Sequence, residues 1–340
     1  MLHPADQALL DAVLAGPGEA QRRALAKAIT LLESTRTDHR ERADALLTAL
    51  PRPEQPAFRV GVSGVPGVGK STFIETLGLH LIGLGTRVAV LAVDPSSSLS
   101  GGSILGDKTR MDRLSVNAAA FVRPSPSGGT LGGVAAATRE AIRVVEAAGY
   151  GVIIVETVGV GQSEAAVAGM TDLFMLLQLP NAGDELQAIK KGVMELADLV
   201  VVNKADLDPA AAARAVGQVE SALHLLARRS TDAWAPRAMP SSALDPAQVA
   251  AVWAVAEAFR TAQAANGADL ERRRSQGRAW LWERIDAGLR HAFRSHPQVR
   301  SGLAETLAAV DDDRLPVSVA ARRLLTAFQG GSPVASDSHG

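Results

Sequence analysis

One octapeptide constrains this chain more than any other stretch of it: Gly64-Val65-Pro66-Gly67-Val68-Gly69-Lys70-Ser71, an instance of G-x-x-x-x-G-K-[ST]. It follows an apolar run, residues 58–63, that reads as a buried strand, and it opens a stretch of helical periodicity at Lys70. Glycines there let the backbone wrap closely around a phosphate with its N–H groups turned inward, and the amino terminus of the next helix adds a favourable dipole. Lys70 supplies a point charge for β- and γ-phosphates, the Ser71 hydroxyl is placed to ligate Mg2+, and Thr72 completes the run. A plain glycine-rich strand-to-helix turn is the bland alternative, and the flanking strand and helix signals argue against it.

The rest of the chain repeats this alternation. Runs rich in Val, Ile and Leu at 87–93, 119–123, 151–156, 173–179, 198–203 and 237–240 are separated by helical stretches near 70–84, 131–148, 184–197 and 208–229. Short apolar strands alternating with longer helices predict an α/β fold with a mostly parallel central sheet flanked by helices. Upstream, Leu25, Ile29 and Leu32, then Leu46, Leu47 and Leu50, recur at helical spacing, interrupted by Gly16-Pro17-Gly18 and ended by a stiff connector with Pro51, Pro53 and Pro56. After residue 245 the pattern is helical again, with Trp253, Trp280 and Trp282, before a Gly- and Ser-rich tail. The expected organisation is an N-terminal helical extension over 1–57, a sheet domain over 58–245, a C-terminal helical region over 246–328 and a frayed tail over 329–340.

Composition limits the partners. Lys plus Arg total 35 against 36 Asp plus Glu, so nothing draws the whole chain to nucleic acid or an anionic membrane, and any anion must be held by a local site. The absence of cysteine removes disulfides, thiolate zinc sites, iron–sulfur clusters and cysteine nucleophiles together. Met1 to Leu10 lacks the basic and apolar regions of a secretory signal, and no apolar run reaches the ~18 residues of a spanning helix, so the expected location is cytoplasmic.

Asn203-Lys204-Ala205-Asp206, after the sixth strand, bears on which nucleotide is bound. Guanine presents an N1–H and an exocyclic amine side by side, and a carboxylate such as Asp206 accepts from both. Asn203 can reach N7 and brace neighbouring loops, and the stem of Lys204 can lie over the base. The bland alternative makes Asp206 a helix cap. Ser241-Ser242-Ala243, after the last strand, resembles the loop whose backbone N–H contacts guanine O6 in GTPases, which makes Ser242, Ala243 and the following Leu244 candidate binding residues.

Glu156-Thr157-Val158-Gly159 ends the fourth strand where GTPases commonly carry Asp-x-x-Gly, the acid near magnesium and the glycine amide sensing the γ-phosphate; a glutamate points to a subclass. Asp94 stands at the carboxyl edge of the sheet, suited to a magnesium water or the attacking water, with an Asx turn as the alternative. Asp107 lies in a Gly- and Ser-rich loop suited to a switch. Gln162 can orient water or simply pack at a helix start, and Lys190 is either a switch residue or a solvated lysine.

Taken in order, GVPGVGKST, AVDPSSSLSGGSILGDKTRM, ETVGVGQSE, LPNAGDELQAIKKGVMELAD and NKAD resemble the MeaB-type GTPases, a family once also labelled ArgK transport kinases, and the resemblance covers roughly residues 15–330. It implies a P-loop GTPase that binds GTP and GDP with Mg2+, forms a homodimer through its C-terminal helical arm, and serves as chaperone for an adenosylcobalamin-dependent acyl-CoA mutase, gating cofactor loading and protecting the enzyme. It places Lys70 and Ser71 at the phosphates and magnesium, and Asp94, Asp107 and Glu156 in the acidic metal and water shell. The loop around Gln187 and Lys190 corresponds to a third switch that senses the mutase. A nickel- or zinc-insertion GTPase is a rival reading, opposed by the lack of cysteine, and a transport-protein kinase another, opposed by Asp206. Arg272-Arg273-Arg274 reads as a solvated helix face or a partner-facing patch.

Overall fold

The computed structural model describes residues 2–93, 111–124, 131–157, 163–180, 191–227 and 234–330. Its strands are β1 (Phe58–Gly64), β2 (Val88–Val93), β3 (Ala120–Arg123), β4 (Val152–Thr157), β5 (Leu173–Gln178), β6 (Leu199–Val202) and β7 (Arg237–Pro240). Among the described residues the helices are α1 (Pro4–Leu14), α2 (Glu19–Glu33), α3 (Thr37–Ala49), α4 (Lys70–Gly83), α5 (Asp112–Ser115), α6 (Leu131–Ala147), α7 (Ser163–Ala168), α8 (Lys191–Met194), α9 (Pro209–Ala227), α10 (Pro246–Ala265), α11 (Ala268–Ser295), α12 (Pro297–Asp311) and α13 (Val317–Phe328). The sheet runs β3-β2-β4-β1-β5-β6-β7, and every pairing is parallel. Each expected strand is present, shifted by no more than one residue at either end. Of the helix expected over 184–197 the described residues hold Lys191–Met194, and residues 184–190 lie outside them; α5 is too short to show periodicity and has no counterpart in the sequence pattern.

Helices cover both faces of the sheet, so β2, β4, β5 and β6 are buried at every residue, and they are apolar throughout except for Glu156, Thr157 and Gln178 at the carboxyl ends of β4 and β5. Val60, Val90, Ile154, Met175 and Val201 point to one face, against Phe73, Ile74 and Leu77 of α4 and Val249, Val252 and Phe259 of α10. The alternate residues Leu91, Ile153, Val155, Phe174 and Val200 join Ile142 and Val145 of α6, and beyond them Leu25 and Ile29 of α2 and Leu46 of α3. The N-terminal helices thus form an outer layer on α6, where each buried Leu or Ile contributes about 1.5–3 kcal/mol. Buried Gln21 fixes their register by donating to Val13 O (2.7 Å) and Ala148 O (3.1 Å) and accepting from Arg87 Nη2 (2.6 Å).

The chain divides into two compact units, Met1–Arg273 and Arg274–Gly340, and the division falls within α11. In the second unit Phe328 packs edge-on against Phe293 at 5.5 Å and His296 at 5.4 Å. No described helix is long and apolar enough to cross a membrane.

Arg272 and Arg273 form neither a solvated face nor a partner-facing patch. They close a cluster of charges at the amino edge of the sheet, where Glu146, Asp172 and Asp198 precede or flank strand starts. Arg273 binds Asp172 through Nε (2.7 Å) and Nη2 (2.6 Å), and Arg272 makes a two-pronged pair with Asp198, both contacts at 2.8 Å. Arg59 reaches Glu146 at 2.8 Å. The same carboxylates accept the N–H groups that open strands: Arg59 N on Asp172 at 2.9 Å and Phe174 N on Asp198 at 2.8 Å. Burial opposes the charge on Arg273, but its hydrogen bond to Asp172 and the charges of Asp172 and Glu146 outweigh that cost and raise its pKa. Because Asp172 is buried, Arg273→Ala is expected to lower the free energy of unfolding by about 3 kcal/mol in urea titration. An Arg273→Ala/Asp172→Ala double variant should lose less than the sum of the single losses; full additivity would contradict the pairing.

Candidate functional site

β1 sits centrally, with the chain leaving toward β4, β2 and β3 on one side and β5, β6 and β7 on the other, so the carboxyl end of β1 is a natural ligand crevice. The phosphate-loop octapeptide lies there. A Cβ on Gly64 would stand 2.5 Å from Leu177 O of the neighbouring strand, which only glycine avoids. Gly69, at φ +95°, adopts the left-handed turn into α4, and a Cβ there would meet Asn203 Nδ2 at 2.8 Å. Between them Val68 is fully buried and pins the loop to the core, while Pro66 and Gly67 are exposed.

Lys70, the first residue of α4, is only 8% exposed, and its Nζ donates to Gly64 O at 2.6 Å and Val65 O at 3.3 Å. Its charge is therefore held over the concave side of the loop. Ser71 Oγ lies 3.4 Å from Oε1 of Glu156, a buried residue that β4 places beside Val62 of β1 and Ala92 of β2. A hydroxyl and a carboxylate this close are hard oxygen donors, and they suit Mg2+, which takes one or two protein ligands and keeps waters. Behind them Thr157 Oγ1 donates to Ser63 Oγ at 2.8 Å, locking β4 to β1.

Asn203, fully buried, binds both walls of the site: Nδ2 donates to Val68 O (2.8 Å) and Oδ1 accepts from Ala243 N (2.9 Å). The chain then turns through Lys204 at φ +60°, a left-handed conformation for a residue with a side chain, with Cε 3.9 Å from the Cβ position of Gly69. Asp206 is exposed and makes no hydrogen bond to another described residue. The cap of α9 falls to Asp208, whose Oδ1 accepts from Ala211 N at 2.9 Å, so the bland role considered for Asp206 is already filled.

In the Ser242–Leu244 loop, Ser242 N donates to Gln248 Oε1 (2.8 Å), Ala243 N to Asn203 and Leu244 N to Ser242 Oγ (3.3 Å). A contact from Ala243 to a base oxygen therefore requires its N–H to share or exchange the Asn203 acceptor. Leu244 projects an exposed apolar side chain beside it. Thr76 ties this loop to α4 by donating to Ala243 O at 2.7 Å, a link with no motif in the sequence to announce it. Asp94, Asp107, Gly159, Gln162, Gln187 and Lys190 lie outside the described residues.

A glycine-rich loop entering a helix at the centre of a parallel sheet, with an Asn-braced and Asp-bearing loop beside it, defines a P-loop nucleotide-binding protein of the guanine-reading class. Within that class the chain belongs to the MeaB family, described as methylmalonyl-CoA mutase-associated GTPases, whose model matches residues 25–298, and it is a GTPase that binds GTP and GDP. It is 46% identical over 308 residues to GTPase ArgK of Escherichia coli, covering 90% of this chain and 92% of the relative. It is 45% identical over 335 residues to the mitochondrial methylmalonic aciduria type A homolog of Mus musculus, covering 95% and 80%. The crystal structure of a LAO/AO transport system kinase superposes with a TM-score of 0.75 at 38% identity, covering 97% of this chain and 99% of that one.

Proposed function

We propose that this GTPase is a chaperone for an adenosylcobalamin-dependent acyl-CoA mutase, gating cofactor loading and protecting the loaded enzyme. The match of residues 25–298 to the mutase-associated family carries the reading, and the mouse relative, named for methylmalonic aciduria, supports it. A nucleotide switch suits such a role because GTP favours one arrangement of the loops at the sheet edge and hydrolysis releases it, so cofactor transfer acquires a direction. In this reading the backbone N–H groups of the phosphate loop orient the triphosphate and Lys70 neutralises charge on its β- and γ-oxygens. Ser71 and Glu156 hold Mg2+, directly or through water, which when bound offsets charge developing on the transferred phosphoryl group. Asp94, Asp107 and Gln162 serve the metal and water shell, and Gln187 and Lys190 the partner-sensing loop.

The chaperone is proposed to be a homodimer. Along α11, Leu281 (58% exposed), Ile285 (38%) and Leu289 (56%) recur every fourth residue, with Trp282 (65%) beside them. No residue of this helix is buried, and an apolar stripe of that length on an open helix favours burial against a second copy.

The test is GTP turnover with and without a purified adenosylcobalamin-dependent mutase, alongside sedimentation of the mixture. The expected result is a stable complex, accelerated phosphate release and nucleotide-dependent transfer of adenosylcobalamin. Absence of both complex and acceleration would sink the proposal.

A further inference from the structure

Away from the nucleotide site, the N-terminal helices carry a groove of about 1080 Å³ walled by α1 and α2 and bordered by Arg42 of α3 and Arg123, the last residue of β3. Its apolar floor is Ala5, Leu9 and Ala12 of α1 and Ala20, Ala24 and Leu31 of α2, one face of each helix over two to three turns. The short side chains among them let another backbone approach closely. The groove is larger than the ~300–1000 Å³ of an ordinary small-molecule pocket, and two parallel-sided helices shape it.

Three cations stand along α2 at intervals of about one turn. Arg23 and Lys27 are four positions apart, and Arg123 docks one turn further on, its Nη2 donating to Thr30 Oγ1 at 3.2 Å and Glu33 Oε2 at 2.6 Å. Glu33 is the only acid among the described lining residues, and that bond holds it. Lys27 has no ion pair among the described residues. Arg23 pairs with Glu19, but the two side chains are 73% and 78% exposed, so the pair is weak and open to exchange.

We propose that this groove binds an acidic amphipathic helix of a partner protein, its apolar face on the alanine and leucine floor and its carboxylates at i, i+4 and i+7 meeting Arg23, Lys27 and Arg123. The main-chain groups of α1 and α2 are spent inside their own helices, so the floor offers no ladder to an extended strand and the occupant must satisfy its own backbone, as a helix does. A second copy docked through the same patch would set these cations against themselves. None of the residues belongs to the nucleotide site, so occupancy is read separately from GTP turnover.

The probe is a fluorescein-labelled peptide of about four turns, with Leu and Ala on one face and Glu at i, i+4 and i+7 beside it. Its anisotropy on the full chain is compared with that of a scramble of the same composition and of a version with Lys for Glu. The acidic peptide is expected to bind at least about tenfold more tightly than either control, and more weakly as salt rises. Lys27→Glu should cost about tenfold and raise affinity for the Lys peptide. Ala8→Trp, at an exposed lining position, should block binding while GTP turnover stays at the wild-type rate. Equal binding of the acidic and scrambled peptides, or unchanged affinity in both variants, overturns the proposal. So does saturable binding of phosphatidylserine vesicles that Lys27→Glu abolishes, or sedimentation as a dimer that Lys27→Glu dissociates, since each gives the groove to a different occupant.

Discussion

Lys70→Ala should reduce GTP turnover by about 10³-fold or more while leaving the protein folded. Lys70 is buried to 8% exposure at the start of α4, with Nζ 2.6 Å from Gly64 O, so the loop itself fixes the position of its charge. Hydrolysis spreads negative charge over the γ-phosphoryl oxygens, and a cation preorganised there acts more strongly in the transition state than in the ground state. Alanine removes that charge but none of the packing that sets the loop, which depends on buried Val68 and on Asn203 gripping Val68 O. Phosphate release under saturating GTP and Mg2+ measures the effect, with circular dichroism to confirm the fold. Turnover near the wild-type rate would falsify the phosphate-site assignment.

Asp206→Asn should weaken GTP binding by about 100-fold and raise the relative affinity for xanthosine triphosphate, which presents a carbonyl where guanine carries its amine. The amide can accept from only one of the two guanine donors and brings a donor of its own against the other. Structural damage is not expected, because Asp206 is exposed and Asp208 caps α9. Competition of GTP, ATP and xanthosine triphosphate for a fluorescent nucleotide reads the outcome directly, and unchanged selectivity for GTP over both would remove Asp206 from the base site.

Much of the fold and of the nucleotide site was legible in the residues themselves. The strands stood out because helices bury both faces of the sheet, so β2 and β6 are apolar at every residue and β4 and β5 are apolar up to their last one or two positions. The phosphate loop was legible because its demands are local: glycine conformations, a lysine and a hydroxyl within eight consecutive positions. The sequence favoured Asp206 as a base reader over a helix cap because of its place after a late strand, and the structure gives the cap of α9 to Asp208 instead.

The amino-acid order alone determined the fold class and the glycine-rich loop that enters α4, both of which depend on patterns within short windows. Only the tertiary structure decided what joins them. Asn203 braces Val68, 135 residues away, and Arg273 meets Asp172 across 101 residues. Glu75 caps a helix that begins nearly forty positions later, with Arg113 N 38 residues on. Periodicity records which side chains are buried, but a buried polar group states only that it needs a partner, and the partner's identity is set by which strand edges and helix faces the sheet order brings together.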